Sequence, residues 1–193
     1  MIFKFPSKAL RIRHALMTNL VALVMCSVFY AMAFEAVFVV SDKLQQSVVP
    51  GIIYGSVLFF PHGVRVLAAY LFGWRSILYL LPISAVYAGL GGDAGAILEG
   101  LVLALGSLVA CVLAFEVLSR FDFIERNYLS VSIDWKSLVL AGAFGAMMNA
   151  ALHYTLDVTD VRAAGAIFVG DVLGFAAVLV VSMLFFRLLR EVS

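Results

Sequence analysis

Residues 96–119 read AILEGLVLALGSLVACVLAFEVLS. The stretch is apolar on every side of a helix, with Glu99 and Glu116 near its two ends and Cys111 inside it. At 1.5 Å per residue it spans about 36 Å, enough to cross a hydrocarbon core of about 30 Å. It lacks the period-two alternation of a barrel strand. It also lacks the polar face of a helix lying on a soluble core. We read it as a transmembrane helix. Working outward, similar runs occur at 15–40, 52–74 and 76–90 on one side and at 137–156 and 163–188 on the other. Only helices or closed barrels satisfy backbone polar groups in lipid. The expected fold is therefore all-α, a polytopic membrane bundle of six helices. It forms one transmembrane domain over residues 1–193 with no soluble domain.

Composition supports the same class. The chain has 193 residues, of which 64% are hydrophobic and 13% charged, with a mean hydropathy of +1.09. Soluble domains average about 45–50% apolar and about 25% charged. A soluble enzyme and a disordered chain are excluded. A net charge of +1 supplies no phosphate-neutralising surface, so nucleic acid is not an expected partner. Cys26 and Cys111 both lie in apolar runs and form no disulfide framework. Leu23-Val24-Met25-Cys26 is a poor lipoprotein box because Met25 is large. Ala31-Met32-Ala33 resembles a signal-peptidase site, but the apolar run around it is too long for a signal peptide. The first run is expected to remain as a span.

The links are short and polar. Gly91-Gly92-Asp93-Ala94-Gly95 predicts a tight turn, and 120–136 is the longest connection. With six spans, Lys4, Lys8, Arg11, Arg13, Arg75, Arg120, Arg126, Lys136, Arg187 and Arg190 fall on one side. Lys43 and Arg162 fall on the other, and Arg65 within a span. By the positive-inside rule both termini are cytoplasmic, in a bacterial inner membrane. Trp74, Tyr128 and Trp135 near the inner boundary suit interfacial anchoring.

Ionisable residues inside a span mark functional sites. Pro61-His62-Gly63 predicts a broken or re-entrant second helix, since proline removes a donor and glycine loosens the backbone. Arg65 follows directly, and contacts either a ligand or an internal carboxylate, Asp171 or Glu35. Asp171 sits between Gly170 and Gly174, four residues apart on one face, which admit a close neighbour. It is either partnered or a solitary protonated acid. Asn149 and His153 share a face of span five and point inward. Glu35 and Glu99 read as solvated span ends, and Glu116 with Arg120 as a surface pair. The candidate ligand-binding set is therefore Pro61, His62, Gly63, Arg65, Asn149, His153 and Asp171, with Gly170 and Gly174 as packing residues. Ligand spacing for a metal is lacking, no cofactor is implied, and no catalytic motif is present.

The order Phe60-Pro61-His62-Gly63, Leu67-Ala68-Ala69, Gly73-Trp74-Arg75, followed by Gly170-Asp171 and Gly174, resembles the MASE1 family of integral membrane sensory domains. That family has more spans and precedes a histidine kinase or diguanylate cyclase module, whereas this chain reads as six spans without an output domain. The resemblance implies a stand-alone sensory bundle acting through a separate partner, with Pro61, Gly63, Arg65 and Asp171 receiving the signal. In size and span number the chain is also similar to the substrate-capture subunits of energy-coupling-factor vitamin transporters. There Ala31, Ala33 and Ala36 would dock a coupling subunit. The expected partners are thus the bilayer, a small-molecule ligand, and a kinase, cyclase or transporter subunit. A membrane-complex assembly factor is the third reading.

Overall fold

The computed structural model describes residues 8–41, 43, 56–89, 94–124, 134–156 and 160–192. Residues 52–55 of the expected second span, the Gly91-Gly92-Asp93 turn, Lys4, Arg126 and Tyr128 lie outside the described residues. Every regular element among the described residues is helical. In chain order these are α1 (Lys8–Ala36), continued by a π-helical turn over Val37–Ser41, α2 (Phe60–Phe72), α3 (Arg75–Gly89), α4 (Ala94–Arg120), α5 (Trp135–Thr155) and α6 (Val161–Val192). Leu16–Val40, Ala94–Arg120, Trp135–Thr155 and Val161–Phe185 are long and apolar enough to cross a bilayer. The chain is a helical membrane bundle. With 13 and 15 residues, α2 and α3 fall short of the about 20 that a single crossing helix needs.

The shortest helix is the axis. α2 packs against every other described helix, and Pro61, His62, Gly63, Arg65, Val66, Ala68 and Ala69 are buried along it. The placement follows from its side chains. His62 and Arg65 cannot face lipid without a large penalty, so the helix that carries them is drawn inward. Its small residues then let neighbours come close. A Cβ on Gly63 would stand 2.7 Å from Val178 Cβ of α6. Two apolar clusters flank this axis. One joins Val66 and Ala69 to Cys111, Val112 and Phe115 of α4, Leu138 of α5 and Phe175 of α6. The other joins Ala68 to Cys26 and Tyr30 of α1, Tyr79 and Leu80 of α3 and Leu108 of α4.

The expected break at Pro61-His62-Gly63 takes a different form. Phe60–Phe72 is one uninterrupted helix, and Pro61 stands in its first turn. There the missing N–H would have no intrahelical partner in any case, so proline starts this helix without breaking it. The preceding residues 56–59 are non-helical, and α6 holds them. The Phe59 N–H donates to Gly170 O at 2.9 Å. A Cβ on Gly170 would lie 2.0 Å from Ser56 O, and one on Gly174 would lie 2.3 Å from the Phe59 carbonyl. The two glycines therefore make room for an unwound backbone and not for another helix. Pro82 is tolerated within α3, which continues past it.

The α2–α3 turn is made by Gly73, whose φ of 56° lies in the region open to glycine. Its N–H closes α2 on Ala69 O at 2.9 Å. At the same end of the bundle Trp74, Phe121 and Phe123 are exposed and Trp135 partly so. Asp134 caps α5 there, accepting from the Lys136 N–H at 3.1 Å and from the Ser137 hydroxyl. The Ser137 bond holds the Asp134 carboxyl below the usual carboxylate range. Side chains such as Leu16, Leu20, Met32, Leu98, Val181 and Leu188 face outward, as a lipid-facing surface requires.

Candidate functional site

A cavity of about 440 Å³ lies at the other end of the bundle. All six helices line it, through Tyr30 and Phe34 of α1, Arg65 of α2, Ser84 and Tyr87 of α3, Ser107 of α4, Asn149 and His153 of α5, and Asp171 of α6. Ser56 and Phe59, from the segment pinned to α6, complete the wall. A void of this size and mixed lining matches the range of small-molecule pockets.

Beside it runs a buried polar network. The Asn149 side-chain N–H donates to Asp171 Oδ2 at 2.7 Å, and the Ser107 hydroxyl donates to Asn149 Oδ1 at 2.5 Å. His62 Nδ1 stands 3.6 Å from the same Oδ2 and 3.9 Å from Cys111 Sγ. His62 Nε2 lies 3.1 Å from Gly142 O. Asp171 and His62 are 1% and 0% exposed, so these groups have replaced water with one another.

Arg65 is treated differently. Its Nε and Nη2 donate to the Tyr30 hydroxyl at 2.9 and 2.6 Å. Its guanidinium carbon stands 5.5 Å from the ring centres of both Tyr30 and Phe59, within the range of cation–π attraction. Among the described residues no carboxylate comes within 4.0 Å of it. The internal ion pairs considered from sequence are not formed. Asp171 turns to Asn149 and His62, and Glu35 accepts from the Tyr87 hydroxyl at 3.1 Å. Arg65 is a buried cation with a neutral phenol for a partner. On the same wall, Ser84 Oγ is buried without a hydrogen-bond partner among the described residues.

The structure thus brings Arg65, Asn149, His153 and Asp171 to one cavity, with His62 just behind. Pro61 and Gly63 are buried at the head of α2 and set its start and its approach to α6. Gly170 and Gly174 seat residues 56–59. Sequence reasoning missed Tyr30, Ser84, Ser107 and Cys111. A signal existed for Ser107 and Cys111, which stand one turn apart in the apolar run 96–119. The alanine stripe proposed as a docking face on α1 is turned inward at Ala33, which is buried. Among the described residues no group of three His, Cys, Asp or Glu side chains has the arrangement for a metal ion. The chain matches no protein family model, no curated protein sequence and no solved structure.

Proposed function

We propose that this protein is a ligand-binding module of the bacterial inner membrane that takes a small organic anion into the cavity beside Arg65. The observation that carries the reading is the guanidinium itself. A cation sunk in a helical bundle without a paired carboxylate is expensive to keep. A carboxylate or sulfonate entering the cavity would supply the missing counter-charge through a charge-assisted hydrogen bond. Ser84 Oγ offers a second polar contact. Phe34, Phe59 and Tyr87 give an apolar, aromatic wall for the rest of the molecule.

In this reading the chain crosses the membrane six times, α2 with residues 56–59 and α3 making the short crossings. Both termini are cytoplasmic. The C-terminal parts of α1, α3 and α5 and the N-terminal parts of α2, α4 and α6 then meet on the outer side. Those are the parts that line the cavity, so the site faces substrate arriving from outside. Arg75, Arg120 and Lys136 lie at the opposite, cytoplasmic end. The role is sensory and not enzymatic: occupancy shifts the packing of α2 and is read by a separate kinase or cyclase. Capture for a transporter uses the same cavity, and co-purification with a coupling subunit in place of a kinase or cyclase separates the two.

Thermal unfolding of the purified protein in nanodiscs tests the ligand class. Benzoate and benzenesulfonate are expected to raise the transition temperature, because a ligand at about 100 times its Kd stabilises by about 2.7 kcal/mol. Benzylamine, of similar size and opposite charge, is expected to leave it unchanged. Equal protection by the amine, or none by either anion, contradicts the reading.

A further inference from the structure

We infer that binding of an organic anion at Arg65 is coupled to uptake of one proton by the His62–Asp171 pair, with the Asn149 amide turning over as the proton arrives. This rests on the anion reading above and adds to it the charge balance of the occupied site.

Counting donors and acceptors gives the first half of the argument. Gly142 O only accepts, so His62 Nε2, at 3.1 Å, carries a hydrogen. In a neutral ring that leaves a lone pair on Nδ1 facing Asp171 Oδ2 at 3.6 Å. Two lone pairs oppose each other there, and a proton taken up by Asp171 removes the charge from that repulsion. Ser107 and Asn149 supply an independent count. Ser107 Oγ lies 2.7 Å from Leu103 O and 2.5 Å from Asn149 Oδ1, two acceptors for one hydroxyl hydrogen. With the amide turned over, Ser107 donates to Leu103 O and accepts from Asn149 Nδ2. Asn149 Oδ1 then faces Asp171 Oδ2 across the 2.7 Å contact, which requires a carboxyl that holds a proton and donates it. The two amide orientations correspond to an ionised and a protonated Asp171.

Charge selects between them. In the empty site Asp171 is the one carboxylate on the cavity wall with Arg65 among the described residues, and it balances the guanidinium at longer range. A bound anion takes over that task. Asp171 would then face a second negative charge in surroundings poor in water, and it takes a proton from solvent through the cavity. The occupied site holds one cation, one anion and a neutral pair. The other ionisable groups that line the cavity or touch the pair are Tyr30, Tyr87, Cys111 and His153. Of these, His153 is the other imidazole and hence the competitor for the proton.

The test uses the full chain in nanodiscs, with benzenesulfonate and benzoate titrated between about pH 5 and 8. Benzenesulfonate holds no proton of its own in that range. Its affinity is expected to rise about tenfold per pH unit lowered where one proton is taken up, and binding should turn a weakly buffered sample alkaline. Asp171→Asn, which mimics the protonated acid, is expected to flatten the profile. His153 lines the cavity, so His153→Gln is expected to change the affinity itself but to keep the slope with pH. A flat profile in the wild type, a slope that survives in Asp171→Asn, or one that vanishes in His153→Gln overturns the coupling while leaving anion binding intact. Should Asp171→Asn not fold, the wild-type protein decides: no proton taken up per anion bound overturns the proposal. If neither anion binds at any pH, the anion reading itself falls.

Discussion

Asp171→Ala is expected to destabilise the bundle by about 3 kcal/mol, the joint cost of a buried partner left unsatisfied and of the cavity that remains. Interhelical hydrogen bonds in membrane proteins average only about 0.6 kcal/mol, so losing the Asn149 bond would not reach this figure. The larger share comes from what the truncation strands. The Asn149 amide is left buried without its acceptor, which exposes the full desolvation penalty of that group. The alanine also leaves a void that α5 and α6 cannot close without moving. Asp171→Asn keeps the volume and an acceptor oxygen, so its effect is expected to stay below about 1 kcal/mol. Unfolding of both variants by sodium dodecyl sulfate in mixed micelles measures the difference. Equal effects for Ala and Asn would mean that the carboxylate charge, which both variants lack, carries the whole effect and the volume and acceptor oxygen carry none of it.

The second large effect concerns Gly174. A methyl group there would sit 2.3 Å from both the carbonyl carbon and the oxygen of Phe59, and 2.7 Å from its nitrogen. Backbone cannot rotate away as a side chain can, and this backbone is tied by the Phe59 N–H to Gly170 O. Gly174→Ala is therefore expected at the upper end of the overpacking range, about 3 kcal/mol. The same displacement pulls Ser56 and Phe59 out of the cavity wall, so anion binding should weaken with stability. Gly165→Ala, on the same helix with nothing within 4 Å of the added carbon, is the control. It should be neutral or stabilising by about 0.5–1 kcal/mol. Amide exchange at residues 56–60 would report the loosened segment directly.

The apolar runs were legible as helices because lipid leaves so few alternatives: α4, α5 and α6 follow the expected spans closely. The polar centre was legible for a related reason. Arg65, Asn149 and Asp171 stand out against apolar neighbours, and such residues must turn inward. Partner choice was not legible. Arg65 meets Tyr30, thirty-five positions away, and one tyrosine in an apolar run carries no local sign of that role. Pro61 was ambiguous in principle, since the same proline breaks a helix already running and suits one just starting; the close packing of 56–59 on α6 decides for the start. Gly170 and Gly174 announced a close neighbour, yet spacing alone could not show that it was bare backbone.

The central claim is that Arg65 is kept for a ligand and not for the fold. Arg65→Met in nanodiscs tests it most directly, with stability and benzenesulfonate affinity measured on the same preparation. A residue kept for function leaves stability within about 1 kcal/mol of wild type or raises it, since apolar replacements of buried charge are often neutral or stabilising. Affinity should fall about a hundredfold, the worth of a charge-assisted bond of roughly 2.7 kcal/mol. A variant that unfolds readily, beside a wild-type protein that binds the anion no better than the variant does, would make Arg65 a structural residue and contradict the account.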